Sequence, residues 1–179
     1  MAATGLEFAL DRSLGRGWFD RAQAADHVVY YVGSNARDTP APVVGHPAPD
    51  VAVHTLDGHA MSIAALRGRA TILNVWATWR RWCGRELPLL ARYAAAHARM
   101  RVVALDEYGT PALVQAWLRA HPTHPPVLFD GPGALSHAYG IDLLPATLAL
   151  DVHGRIRRIV RGYLQGAADL DRLMRAAAS

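Results

Sequence analysis

The sequence predicts an α/β domain, a central mixed β-sheet with helices on both faces, preceded by an N-terminal extension. Three observations carry this expectation. The chain has 179 residues, 51% of them hydrophobic, enough to build a sizeable core. Continuous apolar runs at "ATILNVW" (70–76), "RVVAL" (101–105) and "ATLALD" (146–151) are of the buried-strand kind, and helical stretches lie between them. Turn signals at Asp57-Gly58 and Val152-His153-Gly154 put a hairpin at each end of that alternation, which calls for antiparallel strands beside a βαβ core.

Residues 1–40 read as an extension, arm and linker, and residues 41–179 as the domain. In the extension Leu6, Leu10, Leu14 and Trp18 recur at four-residue spacing, a weak amphipathic helix compromised by Gly15 and Gly17. "VVYYV" (28–32) reads as a short strand, and the Gly/Pro-rich "GSNARDTPAPVVGHPAP" as a connector. The weak periodicity and mixed charge favour an arm over a membrane-surface helix.

Within the domain, "VAVHTL" (51–56) and "HAMSI" (59–63) flank the first turn as a hairpin. The strand at 70–76 leads into a helix from about 82 to 98, expected to be kinked by Pro88. After the strand at 101–105, Thr110 can cap and Pro111 can start a helix running to about 120. "PVLF" (126–129) is a short strand, and a short helix ends near Gly140. Strands at 146–151 and 155–160 form the closing hairpin, and a helix over 167–177 ends the chain.

Composition narrows the chemistry. The net charge is +4, and all 19 basic residues are arginine, so lysine Schiff-base and lysine general-base mechanisms are excluded. In "RIRRIVR" (155–161), Arg155, Arg157 and Arg161 alternate with Ile156 and Val160, with Arg158 out of step. That fits a solvated strand face; no aromatic-interleaved basic platform suggests nucleic acid. A single cysteine, Cys83, allows no intrachain disulfide. The longest apolar run, 70–79, is interrupted by Asn74 and too short to span a bilayer, and the first residues carry no signal-peptide core. The nine histidines, including His121 and His124 in "HPTHPP" and His46, His54 and His59 near the first hairpin, show no ligand spacing and read as loop residues. No metal and no cofactor are expected.

Four segments, in order and in register, resemble the thioredoxin-like proteins of the TlpA/ResA/CcmG type, from about residue 46 to 177. They are "GHPAPDVAVHTLDGHAMSIAALRGRATILNVWATW", "RELPLL", "FDGPGALSHAYGI" and "LLPATLALDVHGRI". The resemblance implies a thioredoxin-like fold. It also implies extracytoplasmic thiol–disulfide oxidoreductase function, which in many such proteins serves cytochrome c maturation. The partners it implies are protein thiols and disulfides, or a client polypeptide, and the chain is expected to be a monomer.

The Cys-x-x-Cys motif that follows "WATW" in that family is degenerate here. Laid on without gaps, its first cysteine falls on Arg80 and its second on Cys83, with Arg81 and Trp82 between them. Taking Cys83 as the first cysteine needs a compensating insertion and deletion, and puts Glu86 at the second position. In a two-thiol site an exposed thiolate attacks a disulfide and a second thiol three residues later resolves the mixed disulfide. A guanidinium has no nucleophilic lone pair, so at most single-thiol chemistry through Cys83 is open. Two readings of Cys83 stand: a buried small hydrophobe, or a thiol activated by Arg80 and the helix N-terminus.

Other positions follow from the same resemblance. Glu86 matches the acidic residue that tunes the thiols, or is an ordinary helix-face glutamate. Pro145 matches the cis-proline beside the site, and Leu144, Trp79 and Trp82 would contact a bound segment. Asn74 stands where cytoplasmic thioredoxins carry a buried aspartate, which points to the extracytoplasmic branch. Trp76 and Trp79 would pack around the site. A non-catalytic pseudo-oxidoreductase that binds protein is the alternative function.

Overall fold

A computed structural model describes residues 43–130 and 133–179, together with the backbone of residues 23–24 and 27–28. The chain divides into two compact units, Met1–Thr39 and Pro40–Ser179. In the first, β1 (Gln23–Ala24) and β2 (His27–Val28) form an antiparallel pair. The expected helix on Leu6, Leu10, Leu14 and Trp18 lies outside the described residues, as does most of the expected strand at 28–32.

The second unit is built on seven strands: β3 (Ala52–Thr55), β4 (Ala60–Ser62), β5 (Thr71–Trp76), β6 (Arg101–Glu107), β7 (Val127–Asp130), β8 (Ala146–Leu150) and β9 (Ile156–Arg161). They form one sheet in the order β4-β3-β7-β6-β5-β8-β9. β7, β6 and β5 are parallel; β3 and β4 on one side and β8 and β9 on the other are antiparallel. The helices are α1 (Arg81–Ala96), α2 (Pro111–Ala120), α3 (Ala134–Tyr139) and α4 (Ala167–Ala178), with a 3-10 turn at Ile63–Leu66. This is the mixed sheet expected from the sequence. The insertion of β7 between the first hairpin and β6 comes from tertiary pairing, because a four-residue apolar strand carries no address for its partner.

The apolar runs look continuous because both faces are covered, yet their two-residue alternation sorts them cleanly. Leu73, Val75, Val103, Leu105, Leu148 and Leu150 point to the side covered by α3 and the 3-10 turn, where Leu135, Tyr139, Ile63 and Leu66 meet them. Ile72, Trp76, Val102, Ala104 and Ala149 point to the side of α1, α2 and α4, against Leu87, Leu90, Val114, Leu118, Leu170 and Leu173. Each such Leu or Ile, fully buried, contributes about 1.5–3 kcal/mol.

Two details depart from the expectation. β9 does not hold a simple alternation, because its register with β8 shifts between Ala149 and Leu150: Leu150 faces Ile156, but Ala149 faces Arg158. The extra residue reverses parity, so Ile156 and Ile159 join one core and Val160 the other. This accounts for the out-of-step Arg158. β6 also runs two residues further than "RVVAL", through Asp106 and Glu107, which are both buried. Both carboxylates find partners inside, which lets the strand continue through them.

α2 begins as its sequence suggests. Thr110 is the N-cap and its side chain accepts the Leu113 N–H at 3.3 Å, with Pro111 at the first helical position. Thr110→Ala should therefore cost about 1 kcal/mol in a urea titration; an unchanged midpoint would mean that the cap contributes nothing.

Candidate functional site

β5 and β6 run parallel and end side by side, with Trp76 paired to Asp106. The chain leaves β5 through Ala77, Thr78 and Trp79 and turns into α1 at Arg80, the N-cap, whose backbone is extended at φ −92° and ψ 109°. Arg80 N–H donates to the Ala77 carbonyl at 3.1 Å, and Cys83 N–H donates to the Arg80 carbonyl at 3.0 Å. Arg80 and Cys83 thus occupy the start and the inner face of the first turn of α1. Arg80 is half-buried, its guanidinium 4.8 Å from the centre of the Trp79 ring, and its Nε is buried without a partner.

Cys83 is 0% exposed and packs with Trp76, Leu87 and Val114. Burial pushes its thiol up to about 12, outweighing the hydrogen bond from Ala77 and the attraction of Arg80, both of which favour thiolate. Glu86 and Asp106 add two nearby carboxylates that disfavour it further.

Glu86, one turn along α1, is also fully buried. One oxygen accepts the Leu164 N–H at 2.7 Å, and the other accepts from Asn74 Nδ2 at 2.9 Å; the same amide nitrogen also donates to Thr147 Oγ1 at 2.9 Å. Burial raises this carboxyl to about 7 despite those bonds. Glu86 therefore ties α1 to β5 and to the Leu164 segment that precedes α4, which no helix-face glutamate would do.

Asp106 is the functional candidate that sequence reasoning missed. Its Oδ2 accepts the Thr78 N–H at 3.2 Å, which holds the loop leading into Arg80, and its buried Oδ1 faces Gly109, whose backbone N–H also favours the charged form. Burial raises Asp106 to about 7. A Cβ at Gly109 would lie 2.0 Å from that Oδ1, so only glycine fits there. The signal in the sequence was "LDE" at the carboxyl end of a buried parallel strand, where sites of open α/β sheets gather. Its neighbour Glu107 faces the other way: Ser136 donates to it from its N–H at 2.6 Å and from its hydroxyl, and burial raises it to about 8.

Above the start of α1 lies an open groove of about 400 Å³, lined by Arg80, Trp82, Leu143, Leu144, Pro145, Gly162, Tyr163 and Gln165. The Leu144–Pro145 peptide bond is cis. The fold thus brings Arg80, Trp82, Leu144 and Pro145 to one groove, whereas Cys83 and Glu86 lie beneath it in the interior. Trp82 is 46% exposed and tilts against Tyr163 at 5.5 Å. Trp79 is equally exposed and is not among the groove-lining residues, but its ring lies beside the Arg80 guanidinium, which is. Leu144 packs into the core beside Leu135 and Tyr139, so the apolar side chain displayed at the rim is Leu143. The backbone of Leu144 has no hydrogen-bond partner among the described residues.

Three of the described histidines have local roles. His54 stacks on Phe129, His121 stacks on Trp117, and His59 Nδ1 meets Asp57. Among the described residues no group of three or more His, Cys, Asp or Glu could hold a metal ion, and no helix is long and apolar enough to cross a membrane.

Comparison with known proteins bears on this geometry. Residues 44–159 match the AhpC/TSA family. The thiol-disulfide oxidoreductase ResA of Oceanobacillus iheyensis is 32% identical over 155 residues, which cover 82% of this chain and 78% of the relative. ResA of Geobacillus thermodenitrificans is 30% identical over 126 residues, 69% of this chain and 72% of the relative. Among solved structures, MTB DsbF is 27% identical with a TM-score of 0.64, covering 72% of this chain and 95% of its own. A thiol:disulfide interchange protein of the thioredoxin family from Chlorobium tepidum is 26% identical with a TM-score of 0.63, covering 76% and 99%.

Proposed function

The chain belongs to the AhpC/TSA family, among its ResA-like thiol–disulfide oxidoreductases of thioredoxin fold, and on that premise we propose that it is a client-binding member without a two-thiol catalytic cycle. The first thiol of the pair is replaced by Arg80, so that redox chemistry is at most that of the single Cys83. The observation that carries this reading is the burial of Cys83 beneath a groove that is itself open. A thiol with no exposed surface and pushed up to about 12 is a poor nucleophile, because the thiolate is the reactive form. The groove retains the elements that hold an extended polypeptide: an unpaired backbone segment at Leu144, the adjacent Pro145, and aromatic and aliphatic surface from Trp82, Tyr163 and Leu143.

Single-thiol exchange is the second reading, favoured by the pull of Arg80 and the Ala77 N–H toward thiolate. It requires the first turn of α1 to open. The two readings separate on labelling. Native Cys83 is expected to react with a maleimide roughly a hundredfold more slowly than in denaturant, and the protein to show no insulin reduction above the dithiothreitol background. Labelling at the rate of an exposed thiol would reverse the order of the two readings, and thioredoxin-like turnover would sink both.

Extracytoplasmic residence belongs to the same proposal, supported by the kinship with ResA. So does service to cytochrome c maturation, which rests on that kinship alone. Fractionation of the native host with an antibody to the domain tests the first; a soluble cytoplasmic pool would refute it.

A further inference from the structure

The groove carries positive charge. Arg80 lines it directly. Arg81 and Arg85, on the exposed side of the first turns of α1, both lean over Trp82, at 5.6 and 5.0 Å from the ring centre. None of the three guanidiniums is in an ion pair among the described residues, where the pairs are His59 with Asp57 and Arg172 with Asp169. No carboxylate lines the groove; the nearest in sequence, Asp142, is exposed one residue beyond Leu143. Glu86 is committed inside to Leu164 and Asn74. One cation therefore lines an aromatic and aliphatic cleft, and two more lie against its Trp82, none of them in an ion pair among the described residues.

We propose that this groove selects an extended client segment bearing a carboxylate, an Asp or Glu that meets Arg80 at the position of the missing thiol. The inference rests on the client-binding reading above and names the client's chemistry. A guanidinium is a planar fork that takes a carboxylate through two parallel hydrogen bonds. Held on the Trp79 ring and half-buried, the Arg80 guanidinium is already oriented, so little side-chain freedom is lost on binding. An extended segment can pair with the open backbone of Leu144 while neighbouring apolar side chains lie against Trp82, Tyr163 and Leu143. Arg81 and Arg85 are more exposed; they steer the encounter and give it salt dependence.

The test uses the full chain and three peptides of about ten residues that carry a neutral dye. Each has a central Leu-X-Leu with X as Glu, Gln or Lys, and binding is read by anisotropy. The Glu peptide is expected to bind about tenfold more tightly than the Gln peptide, with the Lys peptide weakest. Arg80→Met should abolish the Glu-over-Gln preference. Arg81→Met with Arg85→Met should flatten the salt dependence instead. Circular dichroism of each variant checks that it folds, and Arg80→Gln serves as a second neutral variant should Arg80→Met not fold.

Equal binding of the Glu and Gln peptides would overturn the proposal and leave the client-binding groove standing. Binding of none of the three would overturn both. Anionic phosphatidylglycerol vesicles are the competing partner: sedimentation with them through the same three arginines, more tightly than the Glu peptide binds, would assign the patch to a membrane surface and overturn the peptide reading.

Discussion

Arg80→Cys is expected to form an intrachain disulfide with Cys83 and to raise insulin reduction roughly a hundredfold or more over the parent. The two positions are three residues apart on the first turn of α1, where side chains are neighbours within reach of an S–S bond. The introduced thiol would stand half-buried at the groove, near a helix N-terminus that favours its thiolate. In turnover it attacks the client disulfide, releasing one client thiolate. Cys83 then attacks the mixed disulfide, releasing the second, and dithiothreitol reduces the new pair. Cys83 must give up its proton in that second step, and Glu86 and Asp106, both raised to about 7 and both close enough to disfavour the thiolate, are the groups available to receive it. Adding Glu86→Gln to Arg80→Cys should therefore slow turnover without preventing the disulfide. If Arg80→Cys folds and a mild oxidant leaves both thiols free, the ungapped alignment of Arg80 with the first cysteine is wrong.

Stability should fall as pH rises from about 5 to 8.5, by an amount on the order of a few kcal/mol. Glu86 and Asp106 are raised to about 7 and Glu107 to about 8, each chiefly by burial. Unfolded, the same carboxyls ionise near pH 4. Between those limits the folded chain holds protons that the unfolded chain has released, so raising the pH favours unfolding. At the acid end Asp57 and Asp169 act in the opposite sense. Hydrogen bonds from Thr55 and from the Gln165 N–H, respectively, lower them, and the stability they supply is lost as pH drops below the usual carboxylate range. The maximum should lie near pH 5. Urea midpoints across that range measure the slope, and Asp106→Asn or Glu107→Gln should each flatten part of it. A midpoint that climbs from pH 5 to 8.5 would show that these carboxyls are ionised in the fold.

Much of the fold was legible in advance because local pattern and local chemistry agree along this chain. Thr110-Pro111 starts α2 where a cap and a pre-set φ should start it. The apolar runs at 70–76 and 146–151 became adjacent central strands, since residues apolar on both faces can be satisfied only in the middle of a covered sheet. The strand-to-helix turn that carries the candidate residues was legible for a different reason. "WATW" and "RELP" flank the strand-to-helix turn, so the position of Arg80 and Cys83 follows from chain order alone.

What the sequence determined by itself is the inventory and its order: one cysteine, no lysine, an arginine at the N-cap, a proline awaiting the same neighbourhood, and strands and helices in succession. Tertiary structure alone decided which of those groups meet water and which meet each other. It put Cys83 and Glu86 inside and Trp82 and Leu143 outside, made Asp106 the anchor of the Thr78 loop, and reversed the parity of β9 with one extra residue. The physical reason is that burial is a property of contacts between segments distant in sequence. A carboxyl or a thiol reads the same in the chain whether it faces solvent or the underside of a helix, and its ionisation and reactivity follow from which of the two it meets.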